Sequence, residues 1–345
     1  MKKLTFLTDY RDRFGSKFDA VPYRGGLDKG SLKSLFSDKG IDIEFIHYNA
    51  VDFRNPDMSG KLFIHDSIED IDYLYKDYME DIIYALELKG ASIVPGYKFI
   101  RAHNNKVFME LLRDTVDMQG IKTLATSHFG CLEEFEQNNK EYIFPVVIKG
   151  AQNAQGRQVK LGTSYDNAIK AIKSVSSSKH LSDSFREKIR ILKYPAYIKE
   201  SDYRKKFILM EFVPDLKNDW KVLIFNEKYF ILCRGVKEGD FRASGSKSKY
   251  GFGSLSEPQT GIFDYAKNIY DIFDVPYISL DIAFDGKQFH LLEFQFVSFG
   301  SSTQLKSDCY FINNNGVWES VFQKLVLEKL YVDSLHAYLV KKKYL

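Results

Sequence analysis

Cysteine is scarce in this chain. Cys131, Cys233 and Cys309 stand far apart, without a C-x-x-C pair or a histidine at ligand spacing. That leaves little support for a zinc site or a disulfide framework and makes reduced thiols in a cytoplasmic protein the expectation. Long apolar runs are missing as well, so no membrane span is expected. The first residues, MKKLTFLTDY, carry the basic charge of a signal peptide, but their apolar run stops at Asp9. LTFLT therefore reads as a first buried strand. Excess charge of one sign is also absent: Lys+Arg number 49 against Asp+Glu 46, a net +3. A dedicated nucleic-acid surface is not expected from that balance, whereas small anionic ligands need only local lysines and arginines. No internal repeat or low-complexity segment is present. The phosphate loop G-x-x-x-x-G-K-[ST] is missing, and so is G-x-G-x-x-G after the first strand.

What is present is the composition of a globular protein: 345 residues, 44% apolar, 28% charged and 15% aromatic. Two or three modules of ordinary size fit that length. In residues 1–100 strand-like and helix-like pieces alternate. Leu4 to Thr8 and Ile43 to His47 read as strands, Leu27 to Asp38 and Asp77 to Leu88 as helices, the latter closed by Gly90, and ASIVP as a short strand. Strand, helix, strand order predicts an open, mostly parallel sheet, which binds ligands at the carboxyl ends of its strands. The polar loop Asp9 to Asp28, with Arg11, Arg13, Tyr23, Arg24, Gly25 and Gly26, is then a candidate substrate loop.

A second module, 101–203, opens with a helix at Asn104 to Asp114 and contains the apolar strand FPVVIKG, Phe144 to Gly150. After it come a Gly/Ala/Gln/Asn loop, the strand RQVKLGT and the helix SYDNAIKAIKSV. The third, 204–345, is strand-rich: KKFILMEFVP, KVLIF, YFILCRGV, YISLDIAFDG and KQFHLLEFQF. A terminal helix is expected over Val317 to Val340, ahead of the basic tail KKKYL.

Four segments carry candidate chemistry. In Tyr277 to Phe296, Asp285-Gly286 signals a hairpin. Glu293 and Gln295 are two apart and share a face, and the hairpin can bring Asp281 to it. Carboxylates inside apolar strands need a partner or a cation, and oxygen ligands suit magnesium. Lys149 ends a strand beside a loop containing Gly156, where backbone amides and an ammonium could hold phosphates. At Glu211-Phe212-Val213 a strand turns at Pro214, and its backbone could meet an adenine edge, with Asp219 or Glu211 near a ribose or amino group. Arg234 to Ser254 is basic and Gly/Ser-rich; Arg234, Lys237 and Arg242 could clamp a phosphate or carboxylate through guanidinium forks.

The order of these parts, ending in Asp219-Trp220-Lys221, Lys237-Glu238-Gly239-Asp240-Phe241-Arg242 and Asp281…Glu293-Phe294-Gln295, resembles the ATP-grasp superfamily. Within it the pattern is most similar to the RimK-like ribosomal-protein glutamate ligases, over roughly residues 95–305. The resemblance implies an α/β (α+β) ATP-grasp fold of three subdomains, with a parallel pre-ATP-grasp sheet at the N-terminus. It implies an ATP-dependent carboxylate-amine ligase that makes an amide through an acyl phosphate, from a small-molecule or peptide carboxylate and an amine. The same fold also admits a small-molecule kinase or a non-catalytic ATP-binding protein, and a homodimer is compatible with it. Lys106 and Lys149 would hold the ATP phosphates under a loop containing Gln155 and Gly156. Glu211, Phe212 and Val213 would contact adenine and Asp219 the ribose. Lys221 falls in the nucleotide-binding D-x-K. Arg242 and Ser244 would lie near the triphosphate, with Arg242 and Arg234 on the tetrahedral oxyanion. Asp281, Glu293 and Gln295 would hold two magnesium ions. Three departures are visible: Gln295 stands where asparagine is usual, Gln295-Phe296-Val297-Ser298-Phe299-Gly300 replaces an N-x-S-P-G tail, and Lys221 stands where arginine is usual.

Overall fold

The computed structural model describes residues 2–17, 25–68, 70–116, 121, 123–138, 141–152, 158–178, 181–243 and 249–345. The chain divides into two compact units, Met1–His103 with Leu216–Leu345, and Asn104–Asp215.

The first unit begins with β1 (Lys2–Thr8), α1 (Lys29–Ser37), β2 (Ile41–His47), β3 (Leu62–Ile64), α2 (Leu74–Leu88), β4 (Ser92–Val94) and α3 (Tyr97–Ala102). The strands form a parallel sheet in the order β2-β1-β3-β4. Asp28 caps α1 by accepting from the Ser31 N–H at 2.6 Å, satisfying a backbone donor that the first turn leaves open. Gly90 closes α2 at φ 82°, a left-handed conformation that costs glycine little. Its parallel strands end at Thr8, His47, Ile64 and Val94, so Asp9, Tyr48, His65 and Pro95 crowd one edge.

The second unit holds α4 (Lys106–Thr115), β5 (Thr126–Phe129), α5 (Leu132–Glu136), β6 (Val146–Gly150), β7 (Val159–Gly162), α6 (Tyr165–Ser176), α7 (Leu181–Lys193) and β8 (Phe207–Glu211). Its sheet is antiparallel, ordered β5-β8-β6-β7. Ile148, Phe207 and Leu209 from the sheet pack with Ala168 and Ile172 of α6. Gly162 allows that closeness: a Cβ there would stand 3.1 Å from both Ala168 Cβ and Ile148 Cδ1.

The first unit resumes with β9 (Asn218–Phe225), β10 (Lys228–Gly235), β11 (Tyr250–Phe252), α8 (Ile262–Phe273), β12 (Tyr277–Phe284), β13 (Phe289–Gln295), α9 (Ser302–Lys306), β14 (Tyr310–Asn314), β15 (Val317–Val321) and α10 (Leu327–Lys341). These strands make an antiparallel sheet ordered β13-β12-β9-β10-β14-β15, with β11 paired to β10. One core joins Leu4, Phe6 and Ile43 to Leu223, Phe225 and Tyr277, with Leu335 and Leu339 of α10 packed among them.

The fold is thus α/β with a parallel N-terminal sheet, as the sequence led us to expect, joined by two antiparallel sheets. The terminal helix is shorter than its pattern. Val317–Val321 is a strand paired to Tyr310–Asn314, and helix begins only at Leu327. Tertiary pairing decides there: VWESV is rich in β-branched and aromatic residues, and a turn at Gly316 (φ 91°) folds it back on β14. Strands β3 and β14 were not anticipated either; LFI has only three residues and too little period to read.

Candidate functional site

The chemistry gathers on one face of the late sheet. Asp281 of β12 lies directly across from Glu293 of β13, and Ser279 across from Gln295. On the other side of β12, Asp281 faces Lys221 of β9, and Asp219 of β9 faces Arg234 of β10. Residues two apart share a face. Asp219 therefore accompanies Lys221, and Glu293 accompanies Gln295, while Leu280, Ile282 and Phe294 are buried on the opposite face. A register shift between Asp281 and Ile282 leaves Leu292 extra in β13; without it the alternation from the turn would carry Glu293 out of line. The turn itself is set by Asp285, whose Oδ1 accepts from the N–H groups of Lys287 and Gln288 at 2.7 and 2.8 Å.

These side chains form a network. Arg234 donates from Nε to Asp219 Oδ1 at 2.6 Å and from Nη2 to Asp219 Oδ2 at 2.9 Å. The same Nη2 lies 3.0 Å from Asp281 Oδ2, and Lys221 Nζ donates to Asp281 Oδ1 at 3.0 Å. Glu293 Oε1 accepts from Gln295 Nε2 at 3.4 Å. Burial disfavours the Asp281 carboxylate, yet Arg234 and Lys221 outweigh it and hold the group well below the usual carboxylate range. Burial likewise opposes the Arg234 charge, and Asp219 and Asp281 overcome it.

The structure thus brings Asp281, Glu293, Gln295, Lys221, Arg234 and Asp219 together. It gives two of them surroundings other than those the motif implied. Asp219 has both oxygens on Arg234 rather than turned outward toward a ribose. Arg234 is buried with only 7% exposure and directs its donors at the two aspartates, so a contact with a reacting oxyanion would require breaking that pairing.

In the second unit Lys149 sits at the end of β6, half-buried, its Nζ 3.2 Å from Met210 Sδ. Lys106 is the first residue of α4, and its backbone N–H donates to the carbonyl of Ala151 at 2.9 Å. The start of that helix is therefore tied to the residue two places beyond Lys149. Glu211 ends β8 exposed, accepting from the Ala125 N–H at 3.1 Å; Phe212 is half-buried and Val213 buried. Arg242 reaches Asp240 from Nε at 3.0 Å and Nη2 at 2.9 Å, which holds the Asp240 carboxyl down at about 2. Gln155, Gly156 and Ser244 lie outside the described residues, as do Tyr23 and Arg24 of the candidate substrate loop.

The donor chemistry of the late face suits a hard divalent cation: two carboxylates and an amide oxygen, side by side on adjacent strands. Among the described residues no group of three or more His, Cys, Asp or Glu could hold a metal ion; the oxygens this face offers are those of Asp281, Glu293 and the Gln295 amide. In the candidate substrate loop, Arg11 and Arg13 both converge on Asp9 just past β1, each with a guanidinium contact at 3.1–3.3 Å. Sequence reasoning missed other polar groups. Glu110 and Arg113 form a buried pair on α4, legible in principle from their i,i+3 spacing. His65 and Asp66 at the end of β3 went unread because the strand did.

No protein-family model matches the sequence, and no curated protein matches it. Solved structures do. D-cycloserine synthetase DcsG is similar at TM-score 0.53 and 10% identity, over 98% of this chain and 99% of that one. D-alanine–D-alanine ligase from Bacillus anthracis is similar at TM-score 0.50 and 12% identity, over 99% of each chain. ATP-grasp ligase PsnB, complexed with minimal precursor, Mg and ADP, is similar at TM-score 0.50 and 10% identity, over 97% of each chain. At such identities the likeness is one of fold. No helix among the described residues is long and apolar enough to cross a membrane.

Proposed function

From the premise that the chain has the fold of ATP-grasp ligases, we propose that it is an ATP-dependent carboxylate-amine ligase working through an acyl phosphate. The observation that carries the reading is the shared face of Asp281, Glu293 and Gln295, with Asp281 and Glu293 as direct cross-strand partners. Those three would hold magnesium, which neutralises phosphate charge when bound. Lys106 and Lys149 would supply ammonium groups for the nucleotide phosphates, and Glu211, Phe212 and Val213 would contact the adenine.

In the first step an oxygen of the substrate carboxylate attacks the γ-phosphorus of ATP, the bond to the β-γ bridging oxygen breaks, and ADP departs. Positioning and charge stabilisation do most of this work, so no protein nucleophile is needed. In the second the amine nitrogen attacks the acyl carbon, loses a proton, and inorganic phosphate leaves. Arg242, whose guanidinium rests on Asp240, would turn to the developing oxyanion, whereas Arg234 acts by positioning Asp281 and Asp219. The narrower likeness to RimK-like ligases rests on Lys237 to Arg242 and the hairpin acids, and a peptide carboxylate is compatible with it. PsnB, of the same fold, has been solved in complex with precursor peptide PsnA2 and AMPPNP.

A direct test is incubation with Mg-ATP, hydroxylamine and a panel of amino acids and short peptides. The ligase reading expects a hydroxamate formed in step with ADP. One observation favours a second reading, a non-catalytic nucleotide-binding protein: both oxygens of Asp281 are already paired with cations. Nucleotide binding without ADP release for any acceptor would select it, and a stable phosphorylated product would select a small-molecule kinase.

A further inference from the structure

The two cations on Asp281 are not equivalent. Arg234 is anchored by a two-point contact with Asp219 and is buried. Moving it would strand Asp219, itself 4% exposed, as an uncompensated buried charge. Lys221 has one ion-pair partner among the described residues, Asp281. It reaches that partner on a flexible four-carbon stem, with donors that rotate freely. Register puts Lys221, Asp281 and Glu293 in one row across β9, β12 and β13, and adjacent strands are about 4.8 Å apart. A divalent ion held by Asp281 and Glu293 would therefore sit close to the Lys221 ammonium and be repelled by it.

We propose that Lys221 is the resident counter-ion of Asp281: it keeps free metal off that carboxylate until a nucleotide arrives, so that metal and nucleotide enter together. Phosphate oxygens give Lys221 a replacement anion, which makes the exchange one ion pair for another instead of a loss. The lysine in place of the usual arginine has a role here. A lone ammonium can swing from carboxylate to phosphate, whereas a rigid guanidinium fork holds its partner. The inference rests on the metal reading proposed above and adds to it an order of binding.

The test is Mn2+ binding followed by electron paramagnetic resonance on the full chain, with and without the ATP analogue AMPPNP. Wild type is expected to bind Mn2+ weakly alone and tightly with AMPPNP. Lys221→Met is expected to bind Mn2+ alone at least about tenfold more tightly than wild type, as one unit charge beside the site is removed. Lys221→Gln serves the same comparison should the Met variant fail to fold, and Lys221→Arg should remain as weak as wild type. Unchanged or weaker Mn2+ binding in a folded Lys221→Met or Lys221→Gln overturns the inference, and so does tight binding by wild type without nucleotide. If wild type takes up no Mn2+ even with AMPPNP, the metal reading itself fails and the inference goes with it.

Discussion

Arg234 and Asp219 face each other on neighbouring strands, and the guanidinium meets both carboxylate oxygens, at 2.6 and 2.9 Å, inside the protein. Because Arg234 also reaches Asp281, this contact joins β9, β10 and β12. Breaking a buried pair from one side leaves an uncompensated charge, which typically costs about 3–5 kcal/mol. Asp219→Ala should therefore lose roughly that much in urea unfolding, and Arg234→Met paired with Asp219→Leu should recover much of it. A loss under about 1 kcal/mol for Asp219→Ala would mean that the pair is not buried as described.

Acid should weaken the first unit through His65. The ring is enclosed at the end of β3, with Nε2 2.5 Å from the Pro95 carbonyl oxygen, and burial pushes its pKa down to about 4. An unfolded histidine titrates near 6.5, so between about pH 6.5 and pH 4 the unfolded state holds the extra proton. Stability is then lost as pH falls through that window, by up to about 3 kcal/mol at 1.36 kcal/mol per unit. Urea midpoints from pH 7 to pH 4 should show the slope, and His65→Gln should flatten it whatever its offset at neutral pH. An unchanged slope in the variant would assign the acid sensitivity elsewhere.

Lys149 tests the phosphate end of the proposed site. Its Nζ lies 3.2 Å from Met210 Sδ, and methionine keeps the unbranched stem while removing the ammonium. A folded Lys149→Met should bind Mg-AMPPNP at least about tenfold more weakly than wild type by calorimetry, whatever its shift in urea midpoint, for want of a cation on the phosphates. Equal affinity would remove Lys149 from the nucleotide site.

How much was legible in the sequence differs from one residue to the next. Period two in YISLDIAF and FHLLEFQ, with Asp-Gly between, was enough to put Asp281 and Glu293 on facing strands. The extra residue Leu292, which corrects their alignment, could not be seen, because a bulge is chosen by the pairing and not by the strand alone. Lys221, Arg234 and Asp219 could each be singled out as charges in apolar strands. Their mutual neutralisation could not, since it depends on β9 lying between β10 and β12, an order that only the folded sheet fixes. VWESV was lost to the helix that follows it because a short strand with one neighbour has no period long enough to outvote fifteen helical residues.

Glu293 is the residue on which the proposed cation site of the late hairpin stands or falls. It faces Asp281 across the ladder and carries the second carboxylate of the set. Calorimetric titration of AMPPNP, with and without Mg2+, should show metal-dependent binding to wild type. In a folded Glu293→Ala that dependence should fall about a hundredfold, in line with losing a principal electrostatic contact. Glu293→Ala binding Mg-AMPPNP as tightly as wild type, with the same magnesium requirement, would contradict the account.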